Sequence, residues 1–421
     1  MTFLRRVLGL SAAALLLGAA VTAAQVPRDI AEGLRKIGQI VDPACTAKLY
    51  RPLMPKNDFN TYWPPEAPAP VFTSPLYPGL TIARDQSFGP DPKDVLDIFT
   101  SDKGGGNRPV FIYVPGGAGN KIEQQAREAN AFYDNIGRWA AKNGMVGVLV
   151  QRHPGTGNWD DGGRDLSLAI DWIKENVAKY RGNPNRMFIA AHSAGTGPLG
   201  VYVAHPARWK NGVQVKGAIF MSGNPVPGAG GAGRGAGAPP AGVPGRAGAP
   251  GGGGAAAPAP GGAPGGPGRG GAPAASACGA TGGLGGAEGA IAGPSGQRPA
   301  APGGAGAPGG GGRGGGRGGQ ALTPEQQAER DNLPGFKATP VRIMLVRAEL
   351  DPGVTGDMTA ADKALHDAMC AVDGAKAKDG AGHCPAMLFA RGHSHMSEVF
   401  AFDTRDETVS KPILEWTKKI K

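Results

Sequence analysis

The sequence predicts an α/β fold, a mostly parallel sheet with helices on both faces. Two observations carry that expectation. Short apolar runs rich in β-branched and aromatic residues alternate with longer segments whose apolar positions recur at helical spacing. Residues able to do chemistry, Ser193, Asp351 and His395, directly follow such runs. That is where an open parallel sheet binds its ligands, beyond the carboxyl ends of the strands.

The elements follow in order. RPVFIYVPGG (108–117) is a buried strand stopped by proline and glycine. KIEQQAREANAFYDNIGRWAAKNG (121–144) is a helix: Ile122, Ala126, Ala129, Phe132, Ile136 and Trp139 fall at helical intervals and Gly144 ends it. MVGVLVQRH (145–153) is the next strand. After a glycine-rich loop, DLSLAIDWIKENVAKY (165–180) is a helix with Asp165 as N-cap and Leu166, Ala169, Ile170, Ile173 and Val177 at the helical period. RMFIAAH (186–192) is a strand that runs into a helix after Ser193, and VKGAIFMSGN (215–224) is a further strand. TPEQQAERDNL (323–333) is a short helix with Thr323 as N-cap and Pro324 at the first position. Strand 340–349, helix 358–372, strand 386–392 and helix 410–420 complete the chain.

Two segments stand outside that pattern. Arg5 and Arg6 precede a short apolar run and small residues in 1–24, the pattern of a secretory signal, and the run falls short of the roughly 20 apolar residues that span a bilayer. Residues 228–320 are almost wholly Gly, Ala and Pro with scattered arginines, and have too few large apolar side chains to offset the entropy of ordering them. The expected organisation is therefore a signal peptide (1–24), a folded domain in two parts (25–227 and 321–421) and a disordered insertion (228–320) between them. A periplasmic or secreted location follows from the signal. The net charge of +10 draws on arginines in both outlying segments, so it says little about the folded part. Of the four cysteines, Cys370 and Cys384 are the preferred pair, since Cys278 lies inside the insertion.

The order Ser193, Asp351, His395 suits nucleophilic catalysis. A serine hydroxyl is a weak nucleophile at neutral pH, so it needs a base within hydrogen-bond reach, and the base needs a carboxylate to hold its tautomer. AHSAG (191–195), PGGAG (115–119), AELDP (348–352) and GHSHMSEVF (392–400) resemble the nucleophile elbow, oxyanion loop, acid loop and histidine loop of the α/β-hydrolase superfamily. Segments 87–100 and 173–195 are similar to secreted carboxylesterases of the hormone-sensitive-lipase and feruloyl-esterase-like branches.

The resemblance covers essentially the whole folded part and implies an α/β-hydrolase fold with the insertion at the cap position. It implies Ser193 as nucleophile, His395 as base and Asp351 as the orienting acid. It also implies an oxyanion hole from the N–H groups of Gly117, Ala118 and Ala194. Each role has a rival. Ser193 also suits a helix N-cap, His393 competes with His395, and Glu349 and Asp357 compete with Asp351. His192 reads as a structural neighbour. Two positions depart from the family pattern: Ala191 stands where the elbow has glycine, and Pro115 where the loop commonly has histidine.

The expected activity is hydrolysis of carboxylic esters through an acyl-enzyme, on a small-molecule or polymer-linked ester. The alternatives are an amide hydrolase of the arylformamidase type and a non-catalytic envelope protein that binds a polymer through its Gly/Arg-rich tract. No cofactor is expected: GGAGNK (116–121) lacks the Gly-Lys-Ser/Thr ending of a phosphate loop. No metal is expected either, because His383, Cys384, His393 and His395 match no ligand frame. Nucleic acid and, after signal removal, a membrane span are not expected partners, and the sequence leaves the oligomeric state open.

Overall fold

The computed structural model describes residues 25–54, 71–73, 77–117, 133–153, 159–226 and 322–421. The signal segment, the insertion 228–320, Ala118 and the first half of the helix expected over 121–144 lie outside the described residues.

Among the described residues nine strands form one sheet: β1 (Val71–Thr73), β2 (Leu80–Ser87), β3 (Val95–Ser101), β4 (Arg108–Val114), β5 (Val146–Val150), β6 (Gly182–His192), β7 (Gly217–Met221), β8 (Arg342–Leu350) and β9 (Ala386–Ser394). Their order is β1-β2-β3-β5-β4-β6-β7-β8-β9. The first three pair antiparallel, and β5 through β9 pair parallel. The helices are α1 (Arg28–Ile37), α2 (Pro43–Tyr50), α3 (Asp134–Lys142), α4 (Trp159–Asn176), α5 (Thr196–Ala204), α6 (Pro324–Asn332), α7 (Pro334–Ala338), α8 (Ala360–Asp373), α9 (Ser397–Phe400) and α10 (Ser410–Lys419).

The expected mostly parallel α/β sheet is the one the chain forms. Every residue of β5 and β7 is buried, which is why these strands read as unbroken apolar runs rather than as alternation. The two-residue period still sorts the side chains by face. Phe111, Tyr113, Phe188 and Ala190 pack with Ile136 and Trp139 of α3 and Ile413 and Trp416 of α10. Val110, Ile112, Val114, Ile189 and Ala191 pack on the other face with Leu166 and Ile170 of α4, Leu199 of α5 and Leu365 of α8.

α3 lies especially close to the sheet. A Cβ on Gly147 would stand 2.6 Å from the Gly137 carbonyl oxygen, and one on Gly137 would stand 2.4 Å from the Phe99 ring. Helix starts follow local chemistry. Thr323 and Gln326 form a reciprocal capping box with Pro324 at the first position of α6, and Thr359 does the same with Asp362 on α8.

One helix boundary is a correction. α4 begins at Trp159, so Asp165 sits inside the helix and is not its N-cap. Asp160 and Asp161 occupy the first turn, where carboxylates complement the helix dipole. Gly162 and Gly163, read as loop residues, belong to the helix because α5 passes tightly there: an added Cβ would meet Pro198 and Val201, each at 2.7 Å. The antiparallel strands β1 to β3 and the helices α1 and α2 were not drawn from the sequence.

Chain direction reverses at the centre of the sheet. From β4 the chain goes one way to β5 and returns past β4 to β6, β7, β8 and β9. The crevice between the carboxyl ends of β4 and β6 is thus the topological switch point, where sheets of this kind bind ligands.

Candidate active site

Ser193 directly follows β6 and is the first residue of a single 3-10 turn, Ser193–Gly195, that leads into α5. Its φ is +51°, in the left-handed region that non-glycine residues rarely adopt. The turn packs so closely that two glycines beside it have no room for a side chain. A Cβ on Gly195 would lie 2.7 Å from the Pro115 carbonyl oxygen, and one on Gly223 would lie 2.4 Å from the Ser193 carbonyl oxygen. Ala191, two residues before the serine, is fully buried and paired with Val114 and Phe220, so its methyl group is accommodated.

The loops after β8 and β9 bring two further residues to this turn. His395 Nε2 lies 2.9 Å from Ser193 Oγ, and His395 Nδ1 lies 2.7 Å from Asp351 Oδ1. Asp351 and His395 are buried, whereas Ser193 is partly exposed. The nitrogens of His395 thus bridge a hydroxyl and a carboxylate. With the proton on Nδ1, Nε2 is free to accept from the serine.

The rivals are accounted for differently. His393 is fully buried, with Nδ1 at 2.9 Å from Ser397 Oγ and Nε2 directed at Thr408 Oγ1. Glu349 accepts the Gly392 N–H at 2.6 Å, and Asp357 is an exposed partner of Arg391.

Asp351 has a second anchor that the sequence reading missed. Arg347, four residues earlier on β8, donates from Nη1 to Asp351 Oδ2 at 2.6 Å, from Nε and Nη2 to both oxygens of Asp362, and from Nη2 to the Gly223 carbonyl. Burial alone would push the Asp351 carboxyl up. The hydrogen bond from His395 and the Arg347 guanidinium outweigh that and hold it below the ordinary carboxylate range. An arginine inside the apolar run RIMLVRAE was the available signal, since a buried charge needs partners.

Behind the serine lies a second buried pair. His192 Nε2 is 2.8 Å from the His395 carbonyl oxygen and 3.4 Å from Glu398 Oε1, and its ring sits 4.7 Å from the His395 ring. Burial, reinforced by repulsion from His395, pushes the His192 imidazole down to about 3. It is therefore neutral and donates from Nε2 to the carbonyl. Burial also raises the Glu398 carboxyl well above its usual range, helped by the Asp351 charge. Glu398 was another missed residue, visible in retrospect as a lone acid in HMSEVFAF.

Of the expected oxyanion donors, Gly117 ends the described part of its loop with φ +56°, Ala194 follows the serine, and Ala118 lies outside the described residues. Gly116 is the residue that meets Ser193: a Cβ there would come within 2.8 Å of Ser193 Cβ and 3.0 Å of the His192 carbonyl oxygen. The same loop is gripped from β5. Buried Arg152 donates to the carbonyl oxygens of Pro115 at 3.2 Å and His153 at 3.1 Å, and to that of Gly117. This clamp holds the loop where Pro115 replaces the family's usual histidine.

The chain is similar to known proteins over part of its length. The profile of the carboxylesterase family matches residues 95–229, from β3 through the elbow to the end of β7 and beyond. Esterase LipC of Mycobacterium tuberculosis is 29% identical over 147 residues, 34% of this chain and 36% of that protein. Phenmedipham hydrolase of Pseudarthrobacter oxydans is 28% identical over 159 residues, 36% of this chain and 30% of that protein. Among solved structures, a truncated carbohydrate esterase from gut microbiota aligns over 80% of this chain and 95% of its own, with 12% identity and a TM-score of 0.43. The chain spans about a third of the length of the curated relatives it matches. The chain forms a mostly parallel α/β sheet whose central segment, residues 95–229, matches the profile of the carboxylesterase family.

Proposed function

We propose that this protein hydrolyses carboxylic esters with Ser193 as nucleophile, His395 as general base and acid, and Asp351 as the group that orients His395. The observation that carries the reading is the continuous line from Ser193 Oγ through His395 Nε2 and Nδ1 to Asp351 Oδ1, with both steps at hydrogen-bond length, at the switch point of the sheet. Similarity of residues 95–229 to esterases supports the choice of an ester as substrate.

Ser193 Oγ attacks the acyl carbon while Nε2 of His395 takes its proton, and Asp351 stabilises the imidazolium that forms. The oxyanion is held by N–H groups of Gly117, Ala118 and Ala194, since preorganised donors aimed at developing charge stabilise it. His395 then protonates the leaving alcohol. A water molecule, deprotonated by the same nitrogen, releases the acid and regenerates Ser193. None of these steps calls on a group other than the chain and water.

Hydrolysis of a short aryl ester should fall by on the order of 10⁴ or more in Ser193→Ala, and a fluorophosphonate probe should label the unaltered chain but not this variant. Full activity in Ser193→Ala would end the proposal. An aryl ester and its matched anilide, assayed together, test ester preference: comparable rates on both would point to an amide hydrolase instead. Export belongs to the same proposal and rests on residues 1–24. Sequencing the N-terminus of the protein recovered from its producing cell should find a start just after Ala23 or Ala24.

A further inference from the structure

We propose that His366, Cys370, Asp379 and Cys384 form a tetrahedral site for one zinc ion when the Cys370–Cys384 disulfide is reduced. The four residues each offer one ligand atom, and these atoms all lie within 4.8 Å of one another. His366 and Cys370 are one helical turn apart on α8, so both point from the same face. Asp379 and Cys384 come from the loop between α8 and β9.

The spacings are those of a coordination shell. Zinc at about 2.0 to 2.3 Å from tetrahedral nitrogen, oxygen and sulfur ligands places those ligands roughly 3.3 to 3.8 Å from one another. His366 Nε2 lies 3.2 Å from Asp379 Oδ1, 3.4 Å from Cys370 Sγ and 3.8 Å from Cys384 Sγ, and Cys384 Sγ lies 3.7 Å from Asp379 Oδ1. Four of the six edges are therefore in place. Of the other two, the edge from Cys370 Sγ to the Asp379 carboxylate is bounded at 4.8 Å, and the edge between the two bonded sulfurs must open.

The histidine is also prepared from behind. Asp367 Oδ1 sits 2.9 Å from His366 Nδ1, the carboxylate–histidine arrangement that fixes the tautomer and leaves Nε2 as the metal-binding atom. The site is remote from Ser193. Arg342, the first residue of β8, donates to the carbonyl oxygens of Gly380 and Gly382 in the same loop, which puts the cluster at the amino ends of the strands, whereas Ser193 lies at their carboxyl ends.

Exchange between the two states balances. A dithiol reductant gives two electrons and two protons to the Cys370–Cys384 disulfide and itself becomes a disulfide. Zinc then displaces the two thiol protons to solvent, and Nε2 of neutral His366 and the Asp379 carboxylate complete the shell. The compartment decides which state persists, because thiol pools keep cysteines reduced in the cytosol and the periplasm keeps them oxidised. The cluster is thus a redox-dependent metal site, independent of the proposed ester chemistry.

Equilibrium dialysis of the full chain against zinc tests this, with and without prior reduction by a phosphine. Cys45 is also disulfide-bonded, so reduction frees thiols elsewhere and variants must assign the binding. The reduced chain should take up one equivalent that the oxidised chain does not. His366→Ala and Cys370→Ser, both reduced, should bind at least about tenfold more weakly. Cobalt in place of zinc should give a thiolate-to-metal absorption band that Cys370→Ser lacks. Equal zinc uptake by the oxidised and reduced chains, or unchanged uptake in both variants, overturns the proposal. If reduction alone unfolds the chain, zinc should restore the circular dichroism of the oxidised protein, and failure to do so also overturns it.

Discussion

Gly116 and Ser193 set the tightest constraint in the site. Ser193 is held at φ +51°, and Gly116 of the facing loop has no room for a methyl group. Gly116→Ala should therefore displace the oxyanion loop or the serine. A shift of that kind costs about 10² in kcat with little change in unfolding midpoint, since only local geometry moves. Rates and urea midpoints measured on the same preparations would check this. Unchanged kcat would show that the loop yields freely.

Two buried titratable groups near the serine act on stability with opposite signs. His192 binds its proton only near about 3 in the folded chain, against an ordinary value of 6.5, so the unfolded state holds more protons between those limits. Stability therefore falls as pH drops from 6.5 towards 3, and His192→Asn should flatten that slope. Glu398 runs the other way. Its folded value is raised above the ordinary 4.5, so the unfolded state ionises first and stability is lost as pH rises above 4.5. Glu398→Gln should close that loss at pH 8 and leave pH 4 unaffected. Urea midpoints across that range read both effects, and parallel profiles for variants and parent would refute them.

At the scale of elements, β8 is more than a spacer between β7 and β9. It carries Arg347 in its buried middle and delivers Asp351 just past its end, and α8 returns Asp362 to the same guanidinium. Removing one partner from such a cluster leaves buried charge without compensation. Arg347→Met should cost roughly 3 to 5 kcal/mol of stability. Arg347→Lys should recover only part of this, because one ammonium cannot replace a planar fork that serves two carboxylates and a carbonyl. Equilibrium unfolding checks the first statement, and the kcat of Arg347→Lys checks whether the anchor also sets the orientation of Asp351.

The elements that were readable from sequence share a physical property. Strands β4 to β9 and helices α6, α8 and α10 announce themselves by continuous apolar runs, by helical periodicity or by Thr caps with an acid or amide three residues on. α4 was misplaced at its start because Gly162 and Gly163 look like loop residues, and only their packing against Pro198 and Val201 explains them inside a helix. β3 was passed over because Asp97 interrupts its apolar run. Arg84 supplies the missing compensation at 2.9 Å, but it lies on a different strand, beyond the reach of any local pattern.

At the scale of the whole molecule, residues from both sides of the segment 228–320 meet at the candidate active site. Ser193 and the Gly116 loop come from before the insertion, and Asp351 and His395 come from after it. β7 and β8 pair directly from Gly217 to Met221, so the sheet is closed across the interruption without help from it. Deleting residues 228–320 should accordingly leave hydrolysis of a small ester largely intact. Loss of activity in a deletion variant that keeps its circular dichroism would assign the insertion a part in the chemistry.

Among the described residues no helix is long and apolar enough to cross a membrane. The sequence by itself determined the fold class, the positions of most core strands and a short set of candidates from which the structure draws Ser193, Asp351 and His395 into hydrogen-bond contact. It could do so because burial writes a local pattern and because chain order limits what can follow a strand. Which histidine faces the serine, what anchors Asp351, why Gly116 has no side chain and which groups surround His366 were decided only by tertiary structure. Each depends on how separate elements pack, over separations from four residues for Arg347 and Asp351 to 202 for His395 and Ser193, and in the chain alone nothing records those distances.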